Sequence, residues 1–284
     1  LGDVPGSGSD RDVALSPDGA VLAVQRFISS PNWSDIWIRD LARGAESRLT
    51  LEGGTHYTPV WARNSRGLFF VARRRDGFGI YYCSLSERQP RQVLKSAREF
   101  VAVSDASPDG RTLLYQIRTA VGHFDLGLLE LGDHPRAEPF LRTPFDEVQG
   151  QFSPDGRWVA YVSNESATPE VYLSSRARPD ARLQVSTNGG VQPRWRRDGR
   201  ELFYVATDGR LMSVAVVTGP VSRLAAPVTL FQTHIDARSR DAMQHFDYDV
   251  SADGQRIITL AAPEAEAVTP WTVVINWPSG ITWR

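Results

Sequence analysis

A five-residue turn motif recurs along this chain at near-constant spacing, and it restricts the fold more than any other feature. Leu15-Ser16-Pro17-Asp18-Gly19 returns as Ala106-Ser107-Pro108-Asp109-Gly110 and as Phe152-Ser153-Pro154-Asp155-Gly156. Weaker copies are Trp61-Ala62-Arg63-Asn64-Ser65, Trp195-Arg196-Arg197-Asp198-Gly199 and Val250-Ser251-Ala252-Asp253-Gly254. Their last residues lie 46, 45, 46, 43 and 55 positions apart. Proline presets φ for the first central position of a turn, aspartate bonds its own local backbone, and glycine accepts positive φ. Asp18, Asp109, Asp155, Asp198 and Asp253 therefore read as turn formers rather than as a catalytic carboxylate cluster.

Each turn is followed by an apolar run rich in β-branched and aromatic residues, such as Val21 to Phe27, Thr112 to Ile117 and Trp158 to Val162. A second run comes next, as in Asp35 to Arg39, Ile80 to Ser84 and Glu170 to Ser174, and a short apolar stretch closes most units. Alternating short runs between turn signals are strands. Units of four strands over 40–50 residues predict one all-β domain spanning residues 1–284. That domain is a six-bladed β-propeller of four-stranded antiparallel blades, its repeats starting near 10, 56, 101, 147, 190 and 245. The sixth unit holds three clear strands and then Pro278 to Arg284, so Leu1 to Val4 is expected to add the outer strand of the last blade. Two departures stand out: Arg63-Asn64-Ser65 replaces Pro-Asp-Gly, and the long final interval places an insertion within His234 to His245.

Composition narrows the function. The 284 residues carry 32 Lys+Arg against 33 Asp+Glu, a net charge of −1, which removes the case for an electrostatically driven nucleic-acid binder. Lys95 is the only lysine, so lysine chemistry is confined to one position; the arginine excess is read mainly as coding bias. The single cysteine, Cys83, excludes an internal disulfide framework and reads as a buried small hydrophobe. No stretch approaches 18 apolar residues, and Leu1 to Asp10 lacks the basic and apolar regions of a signal peptide. The segment is expected to be soluble, without membrane insertion of its own.

Aromatic-Ser-Pro-Asp-Gly-Arg, an apolar strand, then a Val/Ile-Tyr/Trp third strand resembles the TolB-type, WD-repeat-like propeller repeat. Phe152 to Val162 followed by Glu170-Val171-Tyr172-Leu173 is the nearest copy. The opening Leu-Gly and Ala-Leu-Ser-Pro-Asp-Gly segments and the closing Trp271-Thr-Val-Val-Ile-Asn-Trp277 also resemble the propeller attached to bacterial membrane-anchored serine/threonine protein kinases. That resemblance implies an extracytoplasmic sensory module, periplasmic or at the cell surface, preceded by a transmembrane helix and a cytoplasmic kinase domain. No kinase sequence is present in the chain.

A search for chemistry finds little. No G-x-S-x-G elbow and no hydrolase segment occur, so the chain would at most be the non-catalytic half of a prolyl-oligopeptidase-like enzyme. None of His56, His123, His134, His234 and His245 stands at zinc-helix spacing, and no cofactor or metal is expected. Loops on one face of a propeller, those leading into inner strands and those joining second to third strands, surround the channel mouth and carry function. Candidate binding residues there are Asp12, Trp33, His56, Tyr57, Arg74, Gln149, Gln192, Arg194, His245 and Asp247. Trp33 reads as recruited for packing or binding, and Arg73-Arg74-Arg75 as a solvated hairpin tip. Asp247-Tyr248-Asp249 reads as an exposed edge. The expected function is a non-catalytic binding or sensory module for an unknown peptide, protein or small polar ligand at the channel mouth. Two alternatives stand beside it: a propeller hydrolase or lyase with His56, His245 and carboxylates assembled at the axis, with or without a metal, and a TolB-like envelope scaffold.

Overall fold

A computed structural model describes residues 2–5, 10–28, 33–51, 54–96, 100–217, 223–239, 243–260 and 270–275. These residues form β-structure throughout, with no α-helix among them. The first sheet shows the repeating unit: β2 (Asp10–Leu15), β3 (Val21–Phe27), β4 (Ser34–Asp40) and β5 (Glu46–Arg48) pair in chain order, each antiparallel to the next. Four further sheets repeat this order with consecutive strands, their innermost members being β6 (Thr55–Trp61), β10 (Val101–Ala106), β14 (Glu147–Phe152) and β18 (Gly190–Trp195). Another sheet joins the two ends of the chain. Here β23 (Tyr248–Val250) and β24 (Arg256–Leu260) continue to β25 (Pro270–Ile275), and β1 (Gly2–Pro5) lies outermost with Gly2 opposite Val273 and Val4 opposite Trp271. The outer-strand expectation for residues 1–4 thus matches the pairing of Gly2 to Val4, while Leu1 lies outside the described residues.

The turn motif works by local hydrogen bonding. Ser107 Oγ donates to Asp109 Oδ1 at 2.5 Å and accepts from the Thr112 amide at 2.9 Å, while Gly110 closes the turn onto the Ser107 carbonyl at φ 69°. This engagement holds the Asp109 carboxyl below the usual carboxylate range, first through Ser107 and then through the Arg111 amide. The same Ser-to-Asp bond recurs at Ser16, Ser153 and Ser251. Where Asn64-Ser65 replaces Asp-Gly, Ser65 itself takes φ 57° and its amide still reaches the Ala62 carbonyl. The departure keeps the turn and adds an arginine, since Arg63 reaches across to pair with Asp105 of the next inner strand at 3.0 Å.

Between sheets the contact is apolar. Leu68, Phe70 and Cys83 bury against Ala23, Ile36 and Leu49 of the preceding sheet, and the Trp61 indole nitrogen donates to the Ala14 carbonyl at 2.9 Å. Cys83 is fully buried, which pushes its thiol pKa up. The fifth sheet departs from the unit: β21 (Arg223–Leu224) and β22 (Val228–Gln232) both pair along β20 (Arg210–Val217). The extra length of the final interval is therefore divided, part lying before β22 and part in the segment after Gln232. Of the span expected to carry the insertion, residues 240–242 lie outside the described residues.

Candidate functional site

Each inner strand of the consecutive sheets breaks register once, and in each a polar residue sits at the break. The irregularities fall at Asp12, Thr58, Ser104, Gln149 and Gln192, between paired neighbours such as Arg11 and Val13. Asp12, Thr58, Gln149 and Gln192 take φ of 44°, 50°, 54° and 57°. Non-glycine residues rarely adopt this region, least of all a β-branched threonine. A bulge turns the side chain along the strand edge instead of across the sheet.

What holds these bulges is a chain of side-chain-to-backbone bonds that passes from strand to strand. Gln116 Oε1 accepts the Gln149 amide at 3.1 Å, Gln149 Oε1 accepts the Gln192 amide at 2.9 Å, and Gln192 Oε1 accepts the Asp247 amide at 2.8 Å. Asp12 then accepts from the Phe246 amide at 2.9 Å and from the Thr58 amide at 3.2 Å. Gln192 Nε2 also donates to Asp247 Oδ2, and Gln149 Nε2 to the His245 carbonyl. His245 Nδ1 lies 3.3 Å from Asp12 Oδ2. Burial alone would lower the His245 pKa, but the Asp12 carboxylate outweighs it and raises the pKa above the ordinary histidine value. Burial raises the Asp247 carboxyl pKa in spite of the Gln192 bond.

The structure therefore brings together five of the ten candidates, Asp12, Gln149, Gln192, His245 and Asp247, in a buried network. The Asp247-Tyr248-Asp249 segment, expected as an exposed edge, is interior: Tyr248 is fully buried and its hydroxyl donates to the Gln192 carbonyl at 2.8 Å. His56 lies elsewhere, fully buried with Nδ1 3.1 Å from Asp35 Oδ1, and Asp35 also takes bonds from Arg48 and Thr50. Desolvation lowers the His56 pKa against the pull of Asp35. The two histidines thus answer to different carboxylates. Among the described residues no three His, Cys, Asp or Glu side chains are arranged to hold a metal. Tyr57 is buried and stacks on Phe100 at 5.6 Å, Arg74 lies over the Tyr81 ring at 4.5 Å, and Trp33 is 55% exposed.

Arg194 sits on the other side of the network, 3.9 Å over the Phe246 ring. Its guanidinium donates to the carbonyls of Tyr248 and Val13 and to Gln151 Oε1 at 3.2–3.3 Å, with Asp249 3.6 Å away, so one side chain ties four inner strands. Below it opens a cavity of about 380 Å³, walled by residues of β2, β6, β10, β14, β18 and β23 and leading out between Pro17, Pro108, Pro154 and Ala252 of the recurrent turns. Arg63 pairs with Asp105 at its side, and the Arg197 guanidinium caps the Pro17 carbonyl at 3.0 Å. Thr58 Oγ1 and Trp195 Nε1, both on lining residues, are buried without a hydrogen-bond partner among the described residues. The polar network thus closes the channel toward the face of the strand-connecting hairpins, and the space opens at the turn face.

Sequence reasoning missed Gln116, Gln151, Asp105, Arg63 and Asp249. The available signal was the spacing of Asp12, Thr58, Ser104, Gln149 and Gln192, which follows the turn repeat.

No protein-family profile and no curated protein matches the chain. Solved structures do. TolB from Acinetobacter baumannii superimposes with a TM-score of 0.62 at 17% identity over 77% of this chain, which spans 56% of that protein's length. A putative TolB from Agrobacterium tumefaciens gives 0.60 at 16% identity, covering 78% of this chain and 81% of that one. The Cps50 (Swd1) β-propeller domain of Myceliophteria thermophila gives 0.63 at 13% identity, covering 98% and 90%. The chain is an all-β propeller of TolB-like and WD-repeat-like architecture, built from four-stranded antiparallel blades. No helix among the described residues is long and apolar enough to cross a membrane.

Proposed function

We propose that this propeller is a non-catalytic binding module, a single six-bladed ring over residues 1–284 that takes a small polar ligand or a peptide end into its axial cavity from the turn face. The cavity carries the reading. Its volume of about 380 Å³ falls in the range of small-molecule sites. Its wall mixes apolar surface with Arg63, Arg194, Arg197, Asp105 and Asp249, and Thr58 and Trp195 offer polar atoms that no described neighbour satisfies. Arg63 is paired with Asp105 and Arg194 with Asp249, which suits recognition rather than proton transfer. Of the candidates read from sequence, Asp12 and Arg194 line this space.

The terminal sequence resemblance supports a finer reading in which the propeller is the extracytoplasmic part of a membrane-anchored receptor kinase. A gene with no kinase domain and no transmembrane segment upstream overturns that part alone.

Binding is tested by thermal shift across peptides, nucleotides, sugars and divalent ions, because a ligand of the native state alone raises the melting temperature. Ala252→Trp narrows the cavity mouth at an exposed turn. A ligand that stabilises the wild type is expected to lose most of its shift in this variant. A full shift retained by Ala252→Trp would place binding elsewhere.

A further inference from the structure

On the hairpin face, away from the cavity, three half-buried phenylalanines meet between the second and third sheets. Phe100 lies 5.6 Å from Phe78 and 5.8 Å from Phe124, both edge to face, and stacks on the buried Tyr57 beneath. Phe78 lies near the start of β8 (Gly77–Ser84), Phe124 opens β12 (Phe124–Glu130) and Phe100 just precedes β10, so the cluster is a product of the fold. The Arg118 amide bonds the Phe100 carbonyl at 2.9 Å, which sets the next hairpin against the cluster. Val121, at the tip of that hairpin, is 82% exposed, and Phe145 beyond it is 38% exposed.

Charge surrounds this floor unevenly. Arg73, Arg75 and Arg118 are exposed, and among the described residues none has a carboxylate partner. Arg73 leans over Phe78 at 5.8 Å. The nearby carboxylates are already engaged: Asp76 with Lys95 at 2.7 Å, Asp125 with Arg142 at 3.2 Å, and Asp146 with the Phe124 amide and Asn164. An aromatic floor rimmed by arginines that have no carboxylate partner among the described residues matches a ligand that brings apolar side chains and negative charge together.

We infer that this sector is a docking surface for an acidic segment of a partner protein, whose aromatic or aliphatic side chain seats on Phe78, Phe100 and Phe124 while its carboxylates meet Arg73, Arg75 and Arg118. The site is separate from the axial cavity and stands or falls independently of it.

The probe is a fluorescein-labelled Glu-rich peptide carrying leucines, titrated by anisotropy beside its Glu→Lys counterpart. The acidic peptide binds and the basic one does not. Affinity falls about tenfold or more in the Arg73→Glu/Arg118→Glu double variant and also falls as salt is raised. Both arginines are exposed, so an unchanged melting temperature confirms that the variant is folded, and Ala252→Trp leaves this binding intact. Equal binding of both peptides, no binding of the acidic one, or an unchanged affinity in the double variant overturns the proposal. So does capture of phosphatidylserine vesicles in place of the peptide, or concentration-dependent self-association that the double variant abolishes.

Discussion

Replacing Gln192 by leucine will lower the free energy of unfolding by about 3 kcal/mol, the cost of leaving buried polar groups unpaired. The side chain has no exposed surface, and leucine nearly matches its volume. Packing is therefore retained while the bonds to Asp247 vanish, the acceptor for its amide and the donor to its Oδ2. Asp247 Oδ1 has no partner among the described residues even before the change, so the whole carboxyl group would be stranded in the interior. The positive φ of 57° is imposed on either residue and does not enter the difference. Chemical denaturation measures the loss directly. A change below about 1 kcal/mol, the net worth of a single ordinary hydrogen bond, would mean that the network does not hold the inner strands together.

Arg194→Met is expected to cost about 2–4 kcal/mol, in the range for breaking a buried charged network. Methionine keeps an apolar stem against Phe246 and so separates the guanidinium from its packing. The carbonyls of Val13 and Tyr248, the Gln151 amide oxygen and the Asp249 carboxylate lose their shared donor in one step. Asp249 still accepts the Leu15 amide at 2.7 Å, which keeps the cost below that of a fully stranded charge. Because these partners lie on three inner strands besides Arg194's own, the loss should appear as a fall in cooperativity as well as in midpoint. A variant as stable and as cooperative as the wild type would contradict the assigned role. One that remains folded is expected to lose any ligand-induced thermal shift.

The parts of this fold that were legible in the sequence are those made by neighbours in the chain. Ser107, Asp109 and Gly110 satisfy one another within a few residues, so the turn and its repeat could be read without coordinates. The runs beginning at Val21, Thr112 and Trp158 became the second strands of their sheets. The site was less legible because its bonds join distant residues: Gln149 meets Gln192, and Asp12 meets Phe246 from the opposite end of the chain. Polar residues at the starts of inner strands read as solvent-facing by their chemistry. The bulges at Asp12, Thr58, Gln149 and Gln192 turn them inward, where backbone amides of the next strand replace water. His56 illustrates the same limit, since Asp35 lies 21 positions away and only the packing of two sheets brings them together. The open end of the channel was hidden for a related reason: the repeat implied a central channel, but its mouth was expected at the loops leading into the inner strands, whereas its walls are residues beside the turns.

Side-chain bonds to the bulged inner strands close the channel at the hairpin face. Amide hydrogen exchange tests it at the bonds themselves, the N–H groups of Thr58, Gln149, Gln192, Phe246 and Asp247. All five are expected to exchange only through global unfolding, with protection equal to that of the core strands. Exchange of these amides as fast as that of the exposed hairpin tips at Arg75 or Val121 would contradict it.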